Sequence, residues 1–222
     1  MVQSLDWMGA IVAGYDFQAF FSYKRNPLTD YWHERVFERL QYWIGQELGI
    51  DKPPMFFDRR SIENGQEFDA YIRDALLSSA VIVSIFSPLY FTSKWCVSEF
   101  ESFLAREEKL KFKKGSLVAC ARFHDGENYP IEAQKMQAED FRDFAILAPR
   151  FWDSDKAVTF EQLIMEFAKK IARKIKLAPP YETTFPIQVM DDKDVPEQKP
   201  IIRPSDYAAG RNGSPQEVPK GP

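Results

Sequence analysis

Between Tyr15 and Leu177, apolar runs of strand length alternate with segments of helical period. Phe17 to Tyr23 predicts a first strand. Tyr31 to Leu48 carries Val36, Leu40, Ile44 and Leu48 four apart, which lines one face of a helix. Met55 to Phe57 predicts a short second strand, and Phe68, Ile72 and Leu76 mark a second helix. Ala80 to Phe86, AVIVSIF, is continuously apolar and mostly β-branched or aromatic, as a strand covered on both faces requires. Trp95 to Leu110 reads as a third helix with Phe100, Phe103 and Leu104 on one side, and Ser116 to Phe123 as a further strand. The last helix runs from about Phe160 to Leu177, with Phe160, Leu163, Ile164, Phe167, Ile171 and Ile175 as its apolar face.

Buried strands alternating with helices predict a parallel sheet with helices on both faces. Such sheets bind ligands at the carboxyl ends of their strands, so the loops at 22–30, 58–66 and 87–95 carry the interest. Residues 15–177 form the predicted domain and 1–14 an N-terminal extension. From Ala178 onward the chain holds nine of its 15 prolines and almost no apolar periodicity. Residues 178–222 are therefore expected to form a disordered or extended tail, because they bury too little surface to offset the entropy of ordering.

Composition narrows the chemistry. A formal net charge of −4 argues against non-specific nucleic-acid binding. Lys169, Lys170, Arg173, Lys174 and Lys176 cluster near the end of the last helix, where they complement its dipole and read as a solvated face, not a membrane contact. The two histidines, His33 and His124, and the two cysteines, Cys96 and Cys120, are far apart and lack metal-ligand spacing, so no metal is expected. The apolar stretch from Trp7 to Tyr15 is too short to span a bilayer, and no basic residue precedes it. The chain thus reads as lacking a signal peptide and a membrane span, and as cytoplasmic. No GxGxxG comes after the first strand and no GxxxxGK[ST] occurs, so neither glycine cradle for a nucleotide cofactor is present.

The strand ends carry more specific segments. Phe20-Phe21-Ser22-Tyr23-Lys24-Arg25 closes the first strand, and Phe57-Asp58 opens a loop ending at Gly65. Ser87-Pro88, Tyr90 and Ser93 come after AVIVSIF and lead into Trp95-Cys96-Val97-Ser98-Glu99-Phe100. Phe151-Trp152 stands later. These segments resemble, in order, four boxes of Toll/interleukin-1 receptor (TIR) domains: the strand ending in F-I-S-Y, the BB loop, the S-x-x-Y-x-x-S-x-W-C-x-x-E segment and the late Phe-Trp box. One departure is Phe100, where many relatives have Leu. The resemblance spans about Phe17 to Trp152 and implies a flavodoxin-like five-stranded parallel sheet with helices on both faces. The stretch Phe123 to Pro149 carries no recognisable motif.

The resemblance is to TIR domains of the bacterial, NAD-cleaving kind. It implies an NAD+ nucleosidase that releases nicotinamide and ADP-ribose or a cyclic isomer, in antiphage signalling or NAD+ depletion. It implies NAD+ as substrate with no resident cofactor, self-assembly with other TIR domains through the 58–66 loop, and a separate sensor protein as partner. It assigns catalysis to Glu99 and suggests Trp95, Phe21, Ser22, Tyr23, Lys24 and Asp58 as substrate-binding residues. Physically, Trp95 and Glu99 are four apart and share one helix face. Ser93 is placed to cap that helix, whose dipole then favours an ionised Glu99. Taken alone, Glu99 beside Glu101, Arg106 and Glu107 reads as a solvated helix residue; Phe21 reads as core, and Asp58 as a backbone cap. The alternative function is a non-catalytic scaffold that docks other TIR domains, a role that needs neither Trp95 nor Glu99.

Overall fold

The computed structural model describes residues 14–58, 65–127 and 129–188, with the side chains of 65–69 left out. The elements run β1 Phe17–Tyr23, α1 Asp30–Leu48, β2 Met55–Phe57, α2 Gly65–Leu77, β3 Ser79–Phe86, α3 Pro88–Thr92, α4 Lys94–Leu110, β4 Val118–Arg122, α5 Ile131–Lys135, β5 Ala138–Asp140 and α6 Asp155–Leu177. Two 3-10 turns, Arg142–Phe144 and Pro149–Asp153, lie between β5 and α6. The five strands form one parallel sheet in the order β2-β1-β3-β4-β5. This is the doubly wound order in which the chain reverses direction between β1 and β3, leaving a crevice at their carboxyl ends.

The central strands β1 and β3 are buried because they are largely apolar on both faces. All eight residues of β3 are buried, which matches its AVIVSIF run, apolar except for Ser84. Alternation along β1 then sorts side chains between two helical layers. Phe21 and Tyr23 face α1, where Phe21 meets Phe37 and Tyr23 stacks near His33. Ser22 faces the opposite way, toward α4. The α1 face is closed by aromatic packing, with Trp32 stacked on Phe160 of α6. Gly45 permits a tight approach inside α1: an added Cβ there would collide with the Ile50 carbonyl oxygen. Gly49 ends the same helix at φ 70°, a left-handed position that favours glycine.

Two expectations change. The helix predicted from about Phe160 begins earlier, at Asp155. The sequence pattern predicts tail after Leu177, yet residues 178–188 pack on the domain. Phe185 is buried with Tyr15 and Ala80, the Tyr15 hydroxyl donates to the Pro179 carbonyl (3.1 Å), and the Gln188 amide donates to Ser102 Oγ (2.9 Å). The physical reason is that Tyr181, Phe185 and Ile187 supply apolar anchors without helical or strand periodicity. Residues 1–13 and 189–222 lie outside the described residues, as does most of the 58–66 loop. No described helix is long and apolar enough to cross a membrane.

Candidate active site

The carboxyl end of the sheet brings Ser22, Ser84, Tyr90 and Glu99 together. Parallel pairing sets Ser22 of β1 beside Ser84 of β3, so two hydroxyls stand on the same face one strand apart. The short helix α3 then folds back over them. Its N-cap is Ser87, whose Oγ accepts from the Tyr90 amide (3.1 Å), and a proline occupies the first helical position. The Tyr90 ring is thereby buried with its hydroxyl 2.8 Å from Ser22 Oγ and 3.3 Å from Ser84 Oγ. Glu99, on the second turn of α4, completes the cluster by accepting a 2.5 Å hydrogen bond from Ser22 Oγ.

Counting protons orders this network. Ser22 has one hydroxyl proton, and it goes to Glu99. The Tyr90 hydroxyl donates toward Ser84 Oγ and also lies within hydrogen-bond distance of Ser22 Oγ, so it joins the two serines. The chain Ser84–Tyr90–Ser22–Glu99 delivers one aligned donor to the carboxyl group and holds it in place.

Glu99 is only 9 % exposed, and no lysine or arginine among the described residues pairs with it. Burial pushes its carboxyl up to about 8; the Ser22 hydrogen bond pulls it down, and the negative charge of Asp58 adds to the rise. This corrects the expectation of a carboxylate held ionised by the helix dipole. Loss of hydration outweighs a partial charge at the helix end. The helix start is also weaker than expected: Ser93 occupies the N-cap of α4 but makes no side-chain cap hydrogen bond.

The remaining expected site residues divide. Trp95 is half-buried one turn before Glu99 on the same helix. Asp58 sits at the end of β2, mostly buried, and pairs with Arg25 (3.2 Å) while its carbonyl accepts from the Tyr23 hydroxyl (3.2 Å). Lys24 lies at the crevice mouth, half-buried. Phe21 and Tyr23 are directed away from Glu99, onto the α1 layer; Phe21 is core, only 2 % exposed. Strand alternation allows Ser22 or its neighbours on the Glu99 face, but not both. Phe151 and Trp152 pack against Phe160, and Arg39 stacks on the Trp152 ring at 4.4 Å, so this box is structural.

Two participants, Tyr90 and Ser84, are absent from the site residues expected from the sequence. Ser84 carries a signal: it is the one polar residue in the AVIVSIF run. Buried hydroxyls need partners, and this one implies a polar group across from it.

The role of Ser22 is open to a direct check. Ser22→Ala removes a hydroxyl hydrogen bond to a charged acceptor, worth about 1.5–3 kcal/mol. The Glu99 carboxyl should rise by about one pH unit or more, read as the pH-dependent shift of the Glu99 side-chain carbon signal in NMR. An unshifted titration would remove Ser22 from control of Glu99.

The sequence profile of the TIR domain matches residues 20–163, more than half of the chain. Among curated proteins, none matches. Solved structures similar to the chain include the TIR domain of the Toll-related receptor TRR-2 from Hydra magnipapillata. It is 19 % identical with a TM-score of 0.38, over 66 % of this chain and 98 % of that one. The TIR domains of the activated Roq1 resistosome, which directly recognises the pathogen effector XopQ, are 21 % identical with a TM-score of 0.36, over 70 % of this chain and 83 % of that one. With the profile covering all of β1 to β5 apart from the first residues of β1, and with the sheet order and boxes in place, this chain belongs to the TIR-domain family.

Proposed function

We propose that this domain is an NAD+ nucleosidase of the bacterial TIR kind, with Glu99 as its catalytic residue. One observation carries the reading: a buried carboxyl group without a cation among the described residues, held by a dedicated hydroxyl chain at the carboxyl end of a parallel sheet. A carboxyl group raised to about 8 is costly to maintain, and such groups concentrate at functional sites.

The lack of a counter-charge among the described residues points to the substrate class. The pyridinium ring of NAD+ is a planar cation joined to a sugar. Seated beside Trp95, it brings positive charge to Glu99, lowers its pKa and favours the carboxylate. As the bond between ribose C1′ and the ring nitrogen breaks, its electron pair leaves with neutral nicotinamide and positive charge develops on the ribose. The fixed carboxylate stabilises that charge more than it stabilises the ground state. Water adds at C1′ to give ADP-ribose, or a nucleophile within the substrate adds there to give a cyclic isomer. Self-assembly with other TIR domains through the 58–66 loop, a separate sensor and a role in antiphage defence belong to the same proposal.

The test is nicotinamide release from NAD+ by concentrated, assembled protein, followed by chromatography. Time-dependent release is expected from the wild type. Its absence under conditions where the protein demonstrably assembles would favour a TIR scaffold without catalysis.

A further inference from the structure

We propose that the cavity on the α1 side of the sheet is a ligand site for a nucleobase-sized heteroaromatic molecule bearing a ring N–H, with His33 as the acceptor. This site is separate from Glu99 and does not rest on the nucleosidase reading.

The cavity has a volume of about 230 Å3. It opens at the carboxyl ends of β1, β3 and β4 and is lined by Ile85, Phe123, Pro88 and Leu89, with Lys24 and His33 among its polar groups. Neither Glu99, Trp95 nor Ser22 lines it. A fused bicyclic ring fits this space. Its position is the crevice where parallel α/β sheets bind ligands.

His33 gives the cavity its specificity. The residue is 3 % exposed and boxed by aromatic rings, with Tyr23 at 4.5 Å and Phe123 at 5.4 Å between centroids. Its Nδ1 lies 2.9 Å from the Thr29 carbonyl oxygen. A carbonyl only accepts, so Nδ1 carries the proton and Nε2 presents a lone pair. Burial also keeps the ring neutral, lowering its pKa to about 4 despite the Thr29 contact. Nε2 takes no hydrogen bond from any described residue. It is not among the buried atoms shut off from solvent, so in the cavity it is open to a ligand that donates.

The rest of the lining agrees. Ile85, Phe123 and Pro88 form apolar walls suited to a flat ring, and no carboxylate among the described residues lines the cavity to compete for the ligand's donor. Lys24 at the rim suits an acceptor on the far edge of the ring. Leu89 is 56 % exposed at the same rim, an apolar residue that loses water when the cavity fills.

Adenine is the probe, because it is bicyclic, planar and carries a ring N–H. The chain has two histidines, and both line the cavity, so their imidazole nitrogens can be followed individually in the full-length protein. On titration with adenine, the His33 Nε2 resonance should shift saturably, as an acceptor gaining a hydrogen bond, while Nδ1 stays protonated. Leu89→Trp enlarges an exposed residue of the rim, and should weaken adenine binding about tenfold or more. The imidazole spectrum of that variant reports whether the pocket remains folded. An unmoved His33 signal at millimolar adenine, or equal affinity in folded Leu89→Trp, would overturn the proposal.

Discussion

Glu99→Gln should lower nicotinamide release from NAD+ by about 100-fold or more, the loss of about 3 kcal/mol of transition-state stabilisation. The substitution keeps the side chain's shape and its acceptor oxygen for Ser22, but removes the charge. A loss in kcat with little change in KM would mark an interaction made in the transition state. Equal rates for the two proteins would exclude Glu99 from the chemistry. The pH profile carries the same information. Glu99 acts ionised, so kcat/KM for the wild type should rise with pH and level off above about 8.

The same substitution should raise stability in alkaline solution. The Glu99 carboxyl titrates near its ordinary value of 4.5 when unfolded and at about 8 when folded. Between those values the folded state holds the proton more tightly, so stability falls as pH rises, by about 1.4 kcal/mol per unit. Glu99→Gln lacks that loss. Its melting temperature should exceed the wild type's at pH 8 and converge with it toward pH 5. A residue that only packs would not trade activity against stability in this way.

Arg106→Leu should cost about 3–4 kcal/mol, a large part of the stability of a domain this size. Arg106 is fully buried on α4, two turns beyond Glu99. Its guanidinium donates to the Ser79 carbonyl (2.7 Å) and the Leu76 carbonyl (2.9 Å). Leu76 lies in the last turn of α2, where no basic residue of that helix is available, so Arg106 satisfies a carbonyl the helix leaves open. The plane is sandwiched between Phe103 (4.3 Å) and Phe185 (4.2 Å), which ties residues 178–188 to the domain. Leucine fills part of the volume but leaves two buried carbonyls without donors. Lysine should not rescue, since an ammonium cannot reach both carbonyls while stacking between two rings. Urea unfolding measures the difference; a loss below about 1 kcal/mol would show that water replaces the guanidinium.

The fold is legible where local pattern and tertiary environment agree. AVIVSIF is buried on both faces in the sheet, as its continuous apolar run implies, and α1 and α4 keep to their helical spacing. β5 is invisible as a pattern: Ala138–Asp140 is three residues long, partly exposed and carries two acidic side chains. It is a strand because β4 offers a free edge, with Cys120, Ala121 and Arg122 paired to it. The packed segment after Leu177 is likewise hidden, because its three apolar anchors obey no period.

The sequence by itself determined the parallel α/β architecture, the family boxes, and the placing of Trp95 and Glu99 on one helix face, since these depend on spacing along the chain. Only the tertiary structure decided what Glu99 is. Glu99 is buried, and its hydroxyl chain is built from Ser22, Ser84 and Tyr90, which meet through strand register and the fold-back of α3. Proton affinity depends on solvation and on neighbours through space, and neither is written in the local order of residues.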